Sequence, residues 1–184
     1  MNIIETPLQD AYVLEPQPIV DHRGKFARIY CRQELEEVGH HKPIVQINHS
    51  LTRKKGAIRG MHFQYPPEAE IKIVKCVAGS VYDVIVDLRR NSQTFRKWHG
   101  EVLSAENMKM TYIPEGCAHG FQVLETDSEL LYFHTRFYNP ECEGGVRFDD
   151  PIFNISWPLE VTEMSVRDRS HAVLSEDFEG ILVS

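Results

Sequence analysis

The sequence predicts an all-β domain, a sandwich or closed barrel with a few short helices. After Pro43, apolar and polar residues alternate in eight short runs: 44–50, 57–64, 71–78, 80–88, 97–103, 108–113, 120–123 and 129–138. Turn residues punctuate these runs at roughly ten-residue spacing, the rhythm of sandwiches and barrels. A chain of 184 residues suits a single domain, 1–184, with a sizeable core. Its 42% hydrophobic and 26% charged residues exclude disorder.

Residues 1–20 read as short strands around Ile3, Ile4 and Ala11 to Leu14, broken by Pro7, Pro16 and Pro18. Asp21-His22-Arg23-Gly24 is a turn signal, and 25–30 alternates like a strand. The one convincing helical piece is 33–39, short and ended by Gly39. The segment 71–88, with Gly79-Ser80 at its middle, reads as a hairpin. Beyond Phe148 the chain reads as loops and short elements, without linker or repeat.

A net charge of −7 argues against non-specific nucleic-acid binding but permits a local basic pocket for a small anion. The N-terminus has no secretory pattern, and no run approaches the roughly 18 apolar residues of a membrane span. We therefore expect a cytoplasmic protein with no membrane contact. Cys31, Cys76, Cys117 and Cys142 form no CxxC pair and read as buried small hydrophobes or bystanders.

Three places could carry chemistry. In Ile58-Arg59-Gly60-Met61-His62-Phe63-Gln64, strict alternation points Arg59 and His62 to opposite faces, unless a bulge at Gly60 brings them together. A lone strand histidine is ordinarily a hydrogen-bonded core residue. Lys72 shares a face with Val74, and an ammonium there is costly unless it meets an anion or reaches water from an edge strand. Pro114-Glu115-Gly116-Cys117-Ala118-His119-Gly120-Phe121 resembles the second short motif of the cupin superfamily. The first cupin motif of metal-binding members needs a second histidine where Gln64 stands, with Glu68 only near the glutamate position. Two histidines and a displaced glutamate fall short of a ligand set, so no metal is expected.

Taken in order, longer stretches resemble one family. They are Asp21-His22-Arg23-Gly24-Lys25-Phe26, Gln46-Ile47-Asn48-His49-Ser50, the run from Lys55 to Gln64, Pro66-Pro67, Val84 to Arg89, Trp98, and Leu103-Ser104-Ala105-Glu106-Asn107. Ile113 to Gly116, Ala118-His119-Gly120-Phe121, Leu131-Tyr132, Asp149-Asp150-Pro151, Trp157-Pro158 and Ser165-Val166-Arg167-Asp168 follow. The ordered set resembles the dTDP-4-dehydrorhamnose 3,5-epimerase family of nucleotide-sugar epimerases. The resemblance implies a cupin-type jelly roll, a homodimer exchanging N-terminal strands, and a 4-keto-6-deoxy sugar nucleotide as substrate. It implies a place in lipopolysaccharide, capsule or natural-product glycan synthesis.

Within the resemblance, His62 is the base and Asp168 the carboxylate that orients it. Lys72 stabilises the enolate oxygen, and Tyr132 is the acid on the opposite face. An imidazole, near 6.5 unperturbed, suits removal of a carbon-bound proton. Arg23, Arg59, Gln46, Asn48, His119, Tyr138, Glu143 and Arg167 match positions contacting the nucleotide diphosphate and sugar. Phe26 matches an aromatic near the base, supplied by the neighbouring subunit. No cofactor is implied, because the C4 ketone is the electron sink, and no GxGxxG or P-loop pattern is present.

The chain departs from the family at Arg28, commonly glutamate, at Glu70, commonly glutamine, and at Arg167, commonly lysine. The base (dTDP, GDP, CDP or UDP), and inversion at C3, C5 or both, therefore stay open. A metal-dependent cupin, a non-catalytic sugar binder and a 3,4-ketoisomerase are the competing readings.

Overall fold

The computed structural model describes residues 1–183. In chain order the strands are β1 (Asn2–Glu5), β2 (Tyr12–Glu15), β3 (Ile19–Asp21) and β4 (Gly24–Phe26). Helix α1 (Arg32–Leu35) runs into a 3-10 turn (Glu36–Val38) that Gly39 ends in the left-handed region, φ 75°. Then come β5 (Gln46–Thr52), β6 (Ile58–Gln64), β7 (Lys72–Ala78), β8 (Ser80–Asp87), β9 (Trp98–Ser104) and β10 (Met110–Ile113). β11 (Cys117–Val123), β12 (Ser128–His134), β13 (Glu143–Gly145) and α2 (Val166–Ser170) complete the order.

Two antiparallel sheets face each other. One has the order β1-β2-β10-β7-β12-β5, the other β13-β6-β11-β8-β9, and β3 pairs with β4 in a separate hairpin. This is the expected all-β jelly roll. Val74, Cys76, Val81, Ile85, Phe121 and Leu130 fill the space between the sheets. The outer faces are also covered. The N-terminal segments and Leu35 pack on Ile73, Met110, Tyr112 and Phe133, while the C-terminal third packs Phe153 and Ile181 on Met61, Val84 and Val86. Burial on both faces explains why β7 and β8 read as nearly continuous apolar runs.

The segment 71–88 is not a hairpin. β7 pairs with β10 and β12, whereas β8 pairs with β9 and β11, so the chain changes sheets at Gly79. Ser128 fixes that crossing: its hydroxyl accepts from the Ser80 amide at 3.1 Å and donates to the Ser80 carbonyl at 3.0 Å. Both strands aim apolar side chains at the same core, which they can do only from opposite sheets. The strand expected over 25–30 stops at Phe26, and the one over 129–138 at His134. Cys76 and Cys117 are buried, Cys31 and Cys142 only partly. No helix among the described residues is long and apolar enough to cross a membrane.

Candidate active site

One end of the sandwich holds a cavity of about 860 Å³. Strands β5, β7 and β12 of one sheet face β6, β11 and β13 of the other across it, and α2 closes a side. Eleven sequence-predicted residues line it: Gln46, Asn48, Arg59, His62, Lys72, His119, Tyr132, Tyr138, Glu143, Arg167 and Asp168.

A bulge puts Arg59 and His62 in the same cavity. Across β11, Phe121 pairs with Arg59 and His119 with His62, so β6 carries one extra residue at Gly60-Met61. Gly60 has φ 120°, and a Cβ there would lie 2.5 Å from Gly120 Cα and 2.8 Å from the His119 carbonyl oxygen. Only glycine fits both the conformation and the approach. Helix α2 delivers Asp168 to the bulge. Ser165 is its N-cap, accepting from the Asp168 amide at 3.0 Å. Asp168 Oδ2 accepts from the Gly60 amide at 3.1 Å, and Oδ1 lies 2.8 Å from His62 Nε2. Burial alone would raise the Asp168 carboxyl, but its hydrogen bonds with His62 and the Gly60 amide hold it well below the usual carboxylate range. An ionised carboxylate only accepts, so the His62 proton sits on Nε2 and the lone pair on Nδ1.

The opposite wall carries Lys72 and Tyr132. Lys72 Nζ lies 3.2 Å from Glu70 Oε1 and donates to the His62 carbonyl at 3.4 Å. The Tyr132 hydroxyl lies 2.9 Å from Ser50 Oγ. Burial pushes its phenol up to about 12 against the opposing Ser50 bond, so it stays protonated at neutral pH. His119 sits edge-on to Tyr132, ring centroids 6.2 Å apart, and its Nε2 is 2.6 Å from Asp83 Oδ1. Thr111 donates to the other Asp83 oxygen at 2.7 Å.

The rim is polar. Arg59 donates to Thr52 Oγ1 at 2.8 Å, the Tyr138 amide to Gln46 Oε1 at 3.2 Å, and the Tyr138 hydroxyl to Glu143 at 3.0 Å. Arg167 bonds both Glu143 oxygens at 3.0 and 3.1 Å, and its Nη2 lies 3.2 Å from His62 Nε2. Gln64, at the second-histidine position of metal cupins, instead pins loops: it donates to the Glu68 and Phe137 carbonyls and accepts from the Asn139 amide.

Arg23 and Phe26 are not brought to this cavity. They lie on the exposed β3–β4 hairpin, where Arg23 pairs with Asp21 at 2.7 Å and Phe26 is 73% exposed. Sequence reading missed Ser50, Asp83, His134 and His171. Asp83 and His134 had a signal, since each falls on the inward phase of an otherwise apolar strand, between Val81 and Ile85 and two residues after Tyr132. The Ser165-x-x-Asp168 cap was also a legible helix start. His171 had none. Its ring stands edge-on to His62 at 6.2 Å, and its Nε2 is buried without a hydrogen-bond partner among the described residues. Ligand atoms of His62, Asp168 and His171 lie within 4.8 Å of one another, but the Arg167 guanidinium occupies the same ground and disfavours a cation.

A family model for dTDP-4-dehydrorhamnose 3,5-epimerase matches residues 5–176. The chain belongs to the dTDP-4-dehydrorhamnose 3,5-epimerase family. It is 42% identical over 178 residues to the dTDP-4-dehydrorhamnose 3,5-epimerase of Salmonella typhimurium, covering 96% of this chain and 97% of that one. The Bacillus anthracis dTDP-4-dehydrorhamnose 3,5-epimerase, solved with TDP and pyrophosphate bound, superposes with a TM-score of 0.91 at 39% identity, covering 94% of this chain and 99% of that one. A Legionella pneumophila 3,5-epimerase, solved with dTDP-4-keto-L-rhamnose, gives 0.92 at 36% identity, covering 100% and 98%. Family membership and the shared fold agree with the ordered motifs.

Proposed function

We propose that this protein inverts C3, C5 or both of a 4-keto-6-deoxyhexose carried on a nucleoside diphosphate. The observation that carries the reading is a single cavity with His62 on one sheet, held by Asp168 from α2, and Lys72 and Tyr132 on the facing sheet. The C4 ketone acidifies the neighbouring C–H bonds. His62 Nδ1 takes that proton while Asp168 steadies the imidazolium that forms. The Lys72 ammonium stabilises charge gathering on the carbonyl oxygen, an effect typically worth several kcal/mol. Tyr132 returns a proton to the other face of the ring, which inverts the centre. The substrate brings its own electron sink, and the cycle closes when the His62 imidazolium gives its proton to solvent and the Tyr132 phenolate takes one from it.

Arg59, whose guanidinium bonds only neutral groups, serves the diphosphate. Arg23 and Phe26 serve the nucleotide from a second copy of the chain, in a homodimer that exchanges the β3–β4 hairpin. The exposure of Ile19, Val20 and Phe26 supports that exchange, since an isolated hairpin gains little by leaving apolar groups in water. The relatives' bound ligands favour a dTDP substrate for this cytoplasmic enzyme. Arg28, where the family commonly has glutamate, donates to Glu34 at 2.7 Å.

The test is proton NMR in deuterium oxide with dTDP-, GDP-, CDP- and UDP-linked 4-keto-6-deoxy sugars. Deuterium enters C3, C5 or both with at least one of them. A His62→Ala protein that exchanges normally overturns the base assignment, and migration of the ketone identifies a 3,4-ketoisomerase instead. Sedimentation of the intact protein as a monomer overturns the exchanged dimer.

A further inference from the structure

Glu70 and His134 line the cavity, yet neither has a part in the chemistry above. The register of β12 against β7 sets His134 directly beside Lys72. Glu70, just before β7, is buried between them, with Oε1 3.2 Å from Lys72 Nζ and Oε2 2.8 Å from His134 Nδ1. Burial would raise this carboxyl, but the His134 bond and the Lys72 charge outweigh it and keep Glu70 ionised.

The proton positions follow. An ionised carboxylate accepts only, so His134 Nδ1 donates to it. His134 Nε2 then keeps its lone pair and accepts from Asn48 Nδ2 at 3.4 Å. The four residues form one run, Asn48 to His134 to Glu70 to Lys72, with a donor facing an acceptor at each link. The His134 ring also stacks on Tyr132, centroids 6.2 Å apart and planes 23° from parallel.

Lys72 needs such a holder. A lysine stem has many rotamers, and an ammonium stabilises an oxyanion only when it is already in place. Its protein partners are the Glu70 carboxylate and the His62 carbonyl, which leaves one N–H for the cavity. We propose that Glu70 and His134 are positioning residues for Lys72: the carboxylate fixes the ammonium, and His134, in its Nδ1–H form, fixes the carboxylate. The inference deepens the epimerase reading and rests on it. It gives a reason for a carboxylate at position 70. A glutamine offers one acceptor oxygen, whereas here two donors, Lys72 Nζ and His134 Nδ1, converge on the side chain.

The tautomer is read first, without substrate, by NMR of the intact protein carrying 15N-histidine, with His134 assigned from the signals lost in His134→Asn. Protonated Nδ1 and bare Nε2 are expected; the opposite tautomer overturns the network. Exchange kinetics follow on the sugar nucleotide that the wild type accepts. His134→Leu and Glu70→Gln should lower kcat about ten- to a hundredfold, the range a charged hydrogen bond carries, with KM little changed. His134→Asn, which keeps an N–H near the Nδ1 position, should recover most of the loss. In a Lys72→Met background His134→Leu should add nothing, because its effect passes through the ammonium. Equal losses for Leu and Asn, or full additivity with Lys72→Met, overturn the proposal. A wild type that exchanges no 4-keto sugar nucleotide sinks the epimerase reading instead, and the tautomer then decides the network alone.

Discussion

Replacing Asp168 by asparagine changes one atom and is expected to displace a proton at the base. The Gly60 amide, 3.1 Å from Oδ2, requires an oxygen at that position. The new amide nitrogen must therefore face His62, 2.8 Å away. It donates, so His62 Nε2 turns acceptor and its proton moves to Nδ1, the nitrogen that should take the substrate's proton. The same swap in a serine protease's His–Asp pair costs about 10⁴ in kcat. Here the loss should be about 10³ to 10⁴, roughly 4 to 5.5 kcal/mol of barrier. The fold should hold, because the Gly60 bond survives and the Ser165 cap uses the backbone amide of residue 168. The assay is initial-rate deuterium entry by NMR, with a melting curve beside it. An Asp168→Asn protein exchanging within about tenfold of wild type, a barrier change of only some 1.4 kcal/mol, would refute the tautomer argument.

Three further outcomes are expected. Tyr132→Phe should slow completed inversion by about 10² or more while deuterium exchange falls less, and equal losses in the two would contradict its role as acid. Gly60→Ala should lower stability by about 1–3 kcal/mol from φ strain alone, with more from the backbone contacts at 2.5 and 2.8 Å, as read from the urea midpoint; an unchanged midpoint rejects the bulge geometry. His40 is buried edge-on between Tyr30 and Tyr112, and burial lowers its imidazole. The unfolded chain thus binds its proton more tightly, so this stability is full above about pH 6.5 and lost as pH falls through the folded value. His40→Phe should flatten the acid decline of the urea midpoint below about pH 6.5, and an unchanged slope sinks the assignment.

What could be read from the sequence follows from which interactions are local. Alternation located the strands of both sheets within a few residues, all but β13, because each strand's pattern depends on its own two faces, and the three residues of β13 are too few to show one. Pairing is non-local, so the turn at Gly79 looked like a hairpin although its strands belong to facing sheets. The bulge shows the same limit. Alternation sends Arg59 and His62 apart, and only the paired register of β11 reveals the extra residue. Site residues named through ordered motifs arrived in one cavity, with Arg23 and Phe26 the exceptions, and those two sit on a hairpin that joins no other strand among the described residues. His171 was invisible because its neighbour His62 is 109 positions away in sequence and meets it only through the docking of α2.

The expected basic pocket also needs restating in terms of pairs. Arg53, Arg59, Lys72 and Arg167 line the cavity, but so do Glu70, Glu143, Glu163 and Asp168, so its formal charge is balanced. Lys72 is spoken for by Glu70, and Arg167 by Glu143. Arg59 bonds only the neutral Thr52 hydroxyl and Leu51 carbonyl, which leaves its charge available to a phosphate. A diphosphate carries more than one charge, so Arg59 alone leaves it undercompensated. Arg167, whose side chain is 53% exposed, can turn from Glu143 to the ligand only by stranding that carboxylate beside an anion. Arg53, which also lines the cavity and is held by an exposed pair with Asp127 at 3.9 Å, can supply a second positive charge, and the proposed second copy a third. Arg23, whose exposed pairing partner Asp21 is itself solvent-accessible, has the low cost of release that its proposed role in a second copy requires.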